Sequence, residues 1–326
     1  MVLFYRKDTF QGIKFLSESW DHGSEMARIL VGTTDGIHEV DGSGRRGAIR
    51  HPGRDVTAVA PEDNQLWAIL DGREIWHTAG MGWWFHVADM DGLRATCLAD
   101  TRAGVVVGTS EAHLFRVAGD GLEPVASFDE APGRERWFTP WGGPPDTRSL
   151  SEDDEAVYVN VHVGGIPRSV DCARTFHPTL PIESDVHKVL ARPGRLYAAS
   201  ARGLAVSPDG GDTWTFQDEG LHATYCRGVA VSGDSLLLSA AEGPRGRRTA
   251  LYRGDLDGAS LRRGGKGLPE FFDAHIDSLC LDAVPGGEVA AFGMADGLVY
   301  ASLDQGESWD LVASGLPPIN SVLTLP

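Results

Sequence analysis

Two octapeptides, "SPDGGDTW" at residues 207–214 and "SLDQGESW" at residues 302–309, share Ser, Asp, Gly and Trp at the same four offsets. Their first serines lie 95 residues apart (302 minus 207), which corresponds to two units of about 47 residues each. Near-identical octapeptides at such a spacing indicate a structural repeat before they indicate a catalytic site.

Weaker copies of the octapeptide occur at related spacings. "SVDCARTF" at 169–176 keeps Ser, Asp and Thr, with Phe in the place of Trp, and "HTAGMGWW" at 77–84 keeps only the final Trp. We interpret the octapeptide as a tight turn between two β-strands, in which Asp or Ser accepts backbone hydrogen bonds, Gly supplies a positive φ, and Trp packs against the sheet. The residues expected to have this structural role are Ser207, Asp209, Gly211, Trp214, Ser302, Asp304, Gly306 and Trp309.

The sequence around the octapeptides follows a recurring plan of four short strands. Segments that read as the first strand of a unit are "DVTAVA" (55–60), "RATCLA" (94–99), "RSLSED" (148–153), "HKVLAR" (187–192), "RGVAVS" (227–232) and "DSLCLD" (277–282). Short strands of this kind, separated by Gly, Pro, Asp and Asn, predict an all-β array and not alternating helices and strands. Repeats of four strands and about 40–50 residues are typical of a β-propeller.

The two ends of the repeat predict how the propeller closes. "NSVLTLP" (320–326) reads as a first strand that nothing follows, and "ARILVGTTDGIHEV" (27–40) reads as second and third strands that no first strand precedes. Pairing these two segments completes a seventh blade and removes the exposed sheet edges. We therefore predict an all-β propeller of seven four-stranded blades, forming one domain over residues 26–326. Residues 1–25 are expected to be an N-terminal extension or an added leader.

The octapeptides match the Asp-box pattern S-x-D-x-G-x-T-W, and on these motifs the chain resembles the β-propellers built from BNR repeats. This class includes sialidases, xyloglucan-active glycosidases, sortilin-type receptors and a photosystem II assembly factor. The resemblance implies the fold, and it implies that the Asp-boxes lie on the rim, away from the central pocket. It does not select one activity, because one fold hosts many functions.

The composition narrows the classes of function. The chain has 326 residues, of which 42% are hydrophobic and 23% charged, as in a globular protein with a sizeable core. Its formal net charge of −17 disfavours binding to nucleic-acid phosphates, and no apolar run of about 18 residues predicts a membrane span. With no secretory signal recognised and four cysteines far apart, we expect reduced thiols in a cytoplasmic protein.

Aligning the predicted first strands places one polar residue of each blade near the mouth of the central channel: Asp55, Arg94, Arg148, His187, Arg227, Asp277 and Asn320. The planar guanidinium group of arginine binds carboxylate or phosphate through two hydrogen bonds. The three arginines therefore predict an anion pocket, and sialidases are similar in that three arginines from different blades hold the substrate carboxylate. The alternative is that each arginine forms a structural ion pair with a neighbouring aspartate, namely Asp55, Asp277 or Asp185.

A second set of candidates comes from blades four to seven. The candidates for general acid–base or nucleophilic catalysis are His187, His222, Tyr225 and Asp277. The candidates for binding a divalent metal are His162, His187, His222 and His275. Arg168 and Trp141 are further ligand-binding candidates, the latter as a pocket wall that stacks on a sugar ring. Cys226, next to Arg227, is a candidate for a thiol of lowered pKa, with an inert buried thiol as the alternative.

The resemblance to sialidases breaks down at several positions. The family's R-I-P triplet has only the differently ordered "IPR" at 166–168 as a counterpart, and no glutamate lies near Tyr225 to pair with it as a nucleophile. The repeat also indicates seven blades, where sialidases have six. These departures argue against true sialidase activity.

Two hypotheses follow from the sequence. In the first, a cytoplasmic propeller binds a small anionic, carbohydrate-like ligand at the channel mouth, with glycoside hydrolase or lyase as the candidate activity and a divalent metal as the candidate cofactor. In the second, a non-catalytic propeller binds another protein. Neither hypothesis includes nucleic acid or membrane as a partner. A deep polar pocket would favour the first, and a flat mouth filled by paired charges would favour the second.

Overall fold

The computed structural model describes residues 27–79 and 82–326, so the predicted N-terminal extension lies outside the described residues. The strands, in chain order, are β1 Arg28–Thr33, β2 Gly36–Asp41, β3 Val56–Glu62, β4 Gln65–Leu70, β5 Glu74–Ala79, β6 Trp83–Asp89, β7 Ala95–Thr101, β8 Gly104–Thr109, β9 Leu114–Ala118, β10 Gly121–Pro124, β11 Thr147–Glu152, β12 Val157–Val161, β13 Pro167–Ser169, β14 His177–Pro178, β15 Val186–Arg192, β16 Arg195–Ser200, β17 Gly203–Ser207, β18 Thr215–Gln217, β19 Tyr225–Ser232, β20 Ser235–Glu242, β21 Arg247–Gly254, β22 Arg262–Arg263, β23 Leu281–Ala283, β24 Ala290–Gly293, β25 Val299–Ser302, β26 Asp310–Ala313 and β27 Ile319–Leu325. The helical segments are α1 Ala126–Asp129 and the 3₁₀ turns Ser110–Ala112, Arg134–Arg136 and Ile182–Ser184. Within these described ranges, no helix is long and apolar enough to cross a membrane.

The strands form seven antiparallel sheets, which are the blades of a propeller. Six blades have four strands each, in chain order: β3–β6, β7–β10, β11–β14, β15–β18, β19–β22 and β23–β26. The first blade consists of β27, β1 and β2, and isolated bridges from Arg50 to Ile37 and from Arg46 to Val40 continue its outer edge. The predicted seven-bladed all-β propeller is confirmed, with the fourth strand of the first blade only partly formed.

The first strands of the blades form a closed ring around the channel. Each of β3, β7, β11, β15, β19, β23 and β27 contacts the next one, and β27 contacts β3. β27 pairs antiparallel with β1, from Leu325 opposite Arg28 to Ile319 opposite Thr33. The predicted closure by the C-terminal strand is therefore confirmed, and it pairs the edge of β1 that would otherwise be exposed.

Neighbouring first strands run in the same direction along the channel. The Ser149 hydroxyl on β11 accepts a hydrogen bond from the Val189 N–H on β15 at 3.0 Å, and the Ser151 hydroxyl accepts one from the Ala191 N–H at 2.9 Å. Both pairs have the same sequence offset, so β11 and β15 are parallel and their starts lie at the same end of the channel. The repeat extends this arrangement to the other blades.

The octapeptide at 207–214 forms the turn between β17 and β18. The Ser207 hydroxyl accepts a hydrogen bond from the Gly211 N–H at 2.8 Å, and the Asp209 carboxylate accepts bonds from the N–H and the hydroxyl of Thr213 at 2.8 and 2.6 Å. Gly211 has a φ of +97°, which a residue with a Cβ atom seldom adopts. All these contacts lie within the turn, so they stabilise the blade.

The other octapeptides form similar turns. At 302–309, the same hydrogen bonds recur at 2.6 to 2.8 Å. At 169–176, Asp171 accepts hydrogen bonds from the N–H and hydroxyl of Thr175 at 2.9 and 2.7 Å, and Ala173 takes the place of glycine with a φ of +63°. The weak copy at 77–84 lies between β5 and β6, but residues 80 and 81 are outside the described part of the chain.

Candidate functional site

In six blades, the pairing between the first and second strands shifts near the start of the first strand. The residues bulged out of the pairing are Thr57, Thr96, Arg148, His187, Arg227 together with Gly228, and Asn320. A bulge frees a residue from the ladder and redirects its side chain, and bulges are common next to active sites. We call the end of the channel that carries these bulged residues the mouth.

The bulges change the ring that the sequence predicts in blades two and three. Thr57 and Thr96 take the bulged positions there, and Asp55 and Arg94 precede them by two residues. Asp55 is exposed, and its carboxylate accepts a hydrogen bond from the Asn320 amide at 2.7 Å. At the bulged positions the structure therefore places Arg148, His187, Arg227 and Asn320 of the predicted ring, with Thr57 and Thr96 instead of Asp55 and Arg94 in these two blades.

Two of the three ring arginines form ion pairs. Arg94, whose side chain is 60% exposed, contacts the Asp146 carboxylate at 3.1 Å. Arg227, only 18% exposed, contacts the Asp277 carboxylate at 2.6 Å. Although burial acts to raise it, the pKa of Asp277 lies below its ordinary value because of the positive charge of Arg227 and hydrogen bonds from Ser278. Arg94 and Arg227 therefore form ion pairs with neighbouring aspartates, as in the alternative to an anion pocket.

Arg148 is the third ring arginine and differs from the other two. Among the described residues, it makes no hydrogen bond or ion pair. Burial lowers the pKa of its guanidinium group, and the positive charge of Arg227 acts in the same direction. The groups that act on it come from blades five to seven: Arg227, Asp277, Tyr225 and Asp185. Arg148 therefore extends from blade four into the mouth as a cation without a directly bonded anion.

His187 is completely buried at the boundary between blades four, five and six. Its Nδ1 lies 2.6 Å from the carbonyl oxygen of Cys226, and because a carbonyl oxygen can only accept, Nδ1 carries the proton and donates it. Burial lowers the pKa of His187 to about 4, so the ring is neutral at pH 7 and its Nε2 holds a lone pair.

Asp185 lies between His187 and a second buried histidine, His162. Its Oδ1 atom is 3.1 Å from Nε2 of His162 and 3.7 Å from Nε2 of His187. Although burial acts to raise it, the two histidines and Arg148 hold the pKa of Asp185 below its ordinary value. The three potential ligand atoms lie within 4.8 Å of one another. Both histidines are among the metal ligands predicted from the sequence, whereas Asp185 is predicted there only as an ion-pair partner.

Tyr225 connects His187 with the other side of the mouth. Its ring centroid lies 4.6 Å from that of His187 and 5.8 Å from that of His275, and the Arg227 guanidinium carbon lies 5.7 Å from the Tyr225 ring. Burial lowers the pKa of His275. Three of the four catalytic candidates, His187, Tyr225 and Asp277, are therefore neighbours in one polar region.

Two predicted site residues make their contacts elsewhere. His222 uses both ring nitrogens, with Nδ1 2.7 Å from the Tyr252 hydroxyl and Nε2 2.7 Å from the Arg248 carbonyl oxygen. Arg168 donates a hydrogen bond at 2.7 Å to the carbonyl oxygen of Gly210, in the octapeptide of the next blade. Neither residue contacts the mouth, so His222 is not part of the metal cluster and Arg168 is a structural link between blades.

The connection between β10 and β11 brings aromatic side chains to the edge of the mouth. Trp141 is 72% exposed, and its ring centroid lies 5.4 Å from that of His162. Phe138, in the same connection, is 58% exposed. Trp141 is thus positioned as a wall beside the buried cluster. Cys226, by contrast, is fully buried, and burial raises the pKa of its thiol, as in an inert structural cysteine.

Buried polar atoms without a hydrogen-bond partner are concentrated around the mouth. Of ten such side-chain atoms in the described part of the chain, seven belong to Asn160, Ser184, Asp185, His187, Arg227 and His275. Leaving a buried polar group unpaired costs about 1–3 kcal/mol. The region around the mouth therefore contains unused hydrogen-bonding capacity, which a polar ligand would reach only through movement of the covering side chains.

The opposite end of the channel holds a cavity of about 320 Å³. Its lining comes from the final residues of the first strands, among them Glu152, Arg192 and Asp282. Lys188 lies between this cavity and the mouth on β15, and its ammonium group donates a hydrogen bond at 2.7 Å to the Leu281 carbonyl oxygen across the channel. Burial lowers the pKa of Lys188 to about 8.

No family model and no curated protein matches this sequence. Solved structures are similar to it in fold. They include a candidate 6-phosphogluconolactonase from Bacteroides fragilis (TM-score 0.63, 12% identity, covering 94% of this chain and 100% of that chain). Others are the WD40 propeller domain of Doa1 (TM-score 0.58, 15% identity, 92% and 88%) and YCF48 bound to D1 peptide (TM-score 0.55, 14% identity, 89% and 91%). At these identities the likeness shows the propeller fold alone.

Proposed function

We propose that the protein binds a small anionic, carbohydrate-like ligand at the mouth of the channel, with Arg148 as its main anion-binding residue. The observation that carries this proposal is a half-buried guanidinium group without a bonded anion among the described residues. Moving a charge partly out of water costs free energy unless an opposite charge compensates it. A carboxylate or phosphate on the ligand would supply the missing charge and could accept two parallel hydrogen bonds from the guanidinium group.

The surroundings of Arg148 support a polar ligand of this kind. Partnerless nitrogens of His187, Arg227 and His275 lie in the same region, and Trp141 offers an aromatic face at the edge of the mouth. The ring of a sugar acid could stack on Trp141, and its hydroxyl groups could bond the buried nitrogens once the side chains that cover them move. His187, Tyr225 and Asp277 lie nearby as the candidate acid–base or nucleophilic groups, with hydrolase or lyase chemistry as the candidate activity in the cytoplasm.

We also propose that the chain is an Asp-box propeller of the BNR type. The support is local: three octapeptides place an aspartate at the same position in the turn, where it accepts hydrogen bonds from the N–H and the hydroxyl of a later Thr or Ser. In this proposal the octapeptides stabilise the blades and take no part in ligand binding.

The anion-binding proposal is tested by thermal-shift measurements on three variants. Wild type is screened against phosphate, gluconate, glucuronate and N-acetylneuraminate, with glucose and glucuronamide as neutral counterparts, and titrations then give the dissociation constants. We expect the acids to stabilise wild type and the neutral sugars not to. Arg148→Met should weaken binding by roughly 10- to 100-fold, the equivalent of about 1.5–3 kcal/mol for hydrogen bonds to a charged group. Arg148→Lys should also lose affinity, because lysine keeps the positive charge but cannot donate two parallel hydrogen bonds to one carboxylate or phosphate.

Arg94→Met is the matched control, since this arginine is exposed and paired with Asp146. It should leave anion binding unchanged. Without ligand, Arg148→Met should melt at the same temperature as wild type or higher, because it removes a half-buried cation that lacks a bonded anion. The proposal is wrong if no acid binds, or if Arg148→Met binds the acids as tightly as wild type does.

A second candidate function, binding of another protein, is favoured by the exposed aromatic residues at the mouth. Trp141 and Phe138 present apolar surface beside the channel, and aromatic residues are enriched at protein interfaces. YCF48, one of the solved structures similar in fold, is described as bound to D1 peptide. A screen in which no small anion binds, followed by peptide binding that Trp141→Ala abolishes, would support this alternative.

A further inference from the structure

The cluster of His162, Asp185 and His187 carries an inference that does not depend on anion binding by Arg148. His187 is completely buried, with a relative exposure of 0%, and His162 is 4% exposed. Nε2 of His187 is a buried atom without a hydrogen-bond partner. It faces Oδ1 of Asp185 at 3.7 Å, and Nε2 of His162 approaches the same carboxylate oxygen to 3.1 Å.

The hydrogen bond from His187 to Cys226 explains why this arrangement is unusual. Because Nδ1 donates its proton to the Cys226 carbonyl oxygen, Nε2 presents a lone pair to the carboxylate oxygen of Asp185. Two acceptors without a donor between them repel each other, and burial removes the screening that water would provide. A cation placed between the two atoms would turn this repulsion into attraction.

The two distances from the Asp185 carboxylate to the histidine nitrogens suit a metal ion with tetrahedral coordination, and the ligand atoms of the two histidines lie within 4.8 Å of each other. Zinc binds histidine nitrogen and carboxylate oxygen at about 2.0–2.2 Å, so two ligand atoms at adjacent corners of a tetrahedron are roughly 3.3–3.5 Å apart. The observed separations from Oδ1 of Asp185 are 3.1 Å to His162 Nε2 and 3.7 Å to His187 Nε2, one on either side of that range. Small movements of side chains would produce the metal geometry.

We propose that His162, Asp185 and His187 form a binding site for a divalent transition metal, with zinc as the reference ion. Two imidazoles and a carboxylate are a ligand set that transition metals favour and that Mg²⁺ or Ca²⁺ do not. The Cys226 carbonyl would hold the His187 ring in the required tautomer, as outer partners of metal-bound histidines commonly do. Three protein ligands leave a coordination position for water or a ligand from the mouth.

The site is tested by zinc titration calorimetry on untagged protein that has been treated with a chelator and desalted. Wild type should bind one zinc ion per chain at this site. His187→Gln and Asp185→Asn should each weaken zinc binding by more than about 100-fold, since loss of an outer partner alone costs 10- to 100-fold. Titration with Co²⁺ adds a spectroscopic readout, because visible absorption bands report the coordination geometry of the bound ion.

The matched controls are His222→Gln and His86→Gln, which change histidines outside the cluster and should keep zinc affinity. Melting temperatures without metal show whether each variant folds. If His187→Gln does not fold, Asp185→Asn, which preserves the shape of the side chain, tests the site instead. The proposal is overturned if wild type binds no zinc, if both cluster variants bind it as wild type does, or if the controls lose it equally. Anion binding in the thermal-shift panel is measured separately, so failure of one proposal is distinguishable from failure of the other.

Discussion

The two octapeptide tryptophans should differ in their contribution to stability, although the sequence motif treats them alike. Trp309 is 2% exposed, and its ring centroid lies 5.1 Å from that of Phe292 in the core between blades six and seven. Trp214 is only partly buried. Both donate an indole hydrogen bond to a glycine carbonyl within the octapeptide, at 3.2 and 3.1 Å, so the difference between them lies in packing.

The expected magnitudes follow from this burial. Replacing a buried Trp by Ala costs about 3–5 kcal/mol, and Trp309→Ala should fall in the upper part of this range because nearly its whole ring leaves the core. Trp214→Ala should cost roughly half as much, since part of its surface is already in water. At about 2–4 °C per kcal/mol for a protein of this size class, the melting temperature should fall by roughly 8–20 °C for Trp309→Ala.

The assay is equilibrium unfolding in urea, followed by circular dichroism and by intrinsic fluorescence, with a calorimetric scan of each variant. Ligand affinity of the folded variants should match wild type, because both turns lie outside the mouth. The reasoning is refuted if Trp214→Ala destabilises the protein as much as Trp309→Ala, or if either variant keeps wild-type stability but loses ligand binding.

Three further predictions concern closure, thiols and acid. Deleting residues 320–326 should remove the first strand of blade one and cause unfolding or aggregation; a monomeric deletion variant with the wild-type dichroism spectrum would show that closure is not required. Cys172 is the exposed cysteine and the other three are buried, so a thiol reagent should modify one cysteine rapidly in the native state and all four in denaturant; rapid native modification of more than one would contradict the burial. Hydrogen bonds from Thr175 lower the pKa of Asp171 to about 2, so its stabilisation is present above about pH 4 and lost as the pH falls toward 2. Asp171→Asn should flatten the pH dependence of stability in that window, and an unchanged profile from pH 4 to 2 would argue against this role.

The fold could be predicted because its determinants are local and repeat along the chain. The octapeptides specify the turn between third and fourth strands through hydrogen bonds that they make to themselves, as Asp209 does with Thr213. The apolar segments between turns specify strands, and the unmatched segments at the two ends specify closure. Each of these signals is read from residues close in sequence, with no knowledge of tertiary contacts.

The site could be predicted only in part because it depends on bulges and on contacts between blades. A bulge shifts the ring position to Thr57 and Thr96, and nothing in the sequence of these strands marks the shift. Which arginine forms an ion pair also depends on the tertiary structure. Arg227 pairs with Asp277 from the next blade, whereas Arg148 has no bonded anion among the described residues. Asp185, two residues before His187, becomes a candidate metal ligand only because the fold places His162 beside it.

The most direct test of the central claim is a crystal structure of the protein with the anion that binds most tightly in the thermal-shift panel. We predict that the carboxylate or phosphate lies at the mouth, with two of its oxygens within hydrogen-bond distance of the Arg148 guanidinium group. An anion bound elsewhere on the propeller, with Arg148 making no contact to it, would contradict the account.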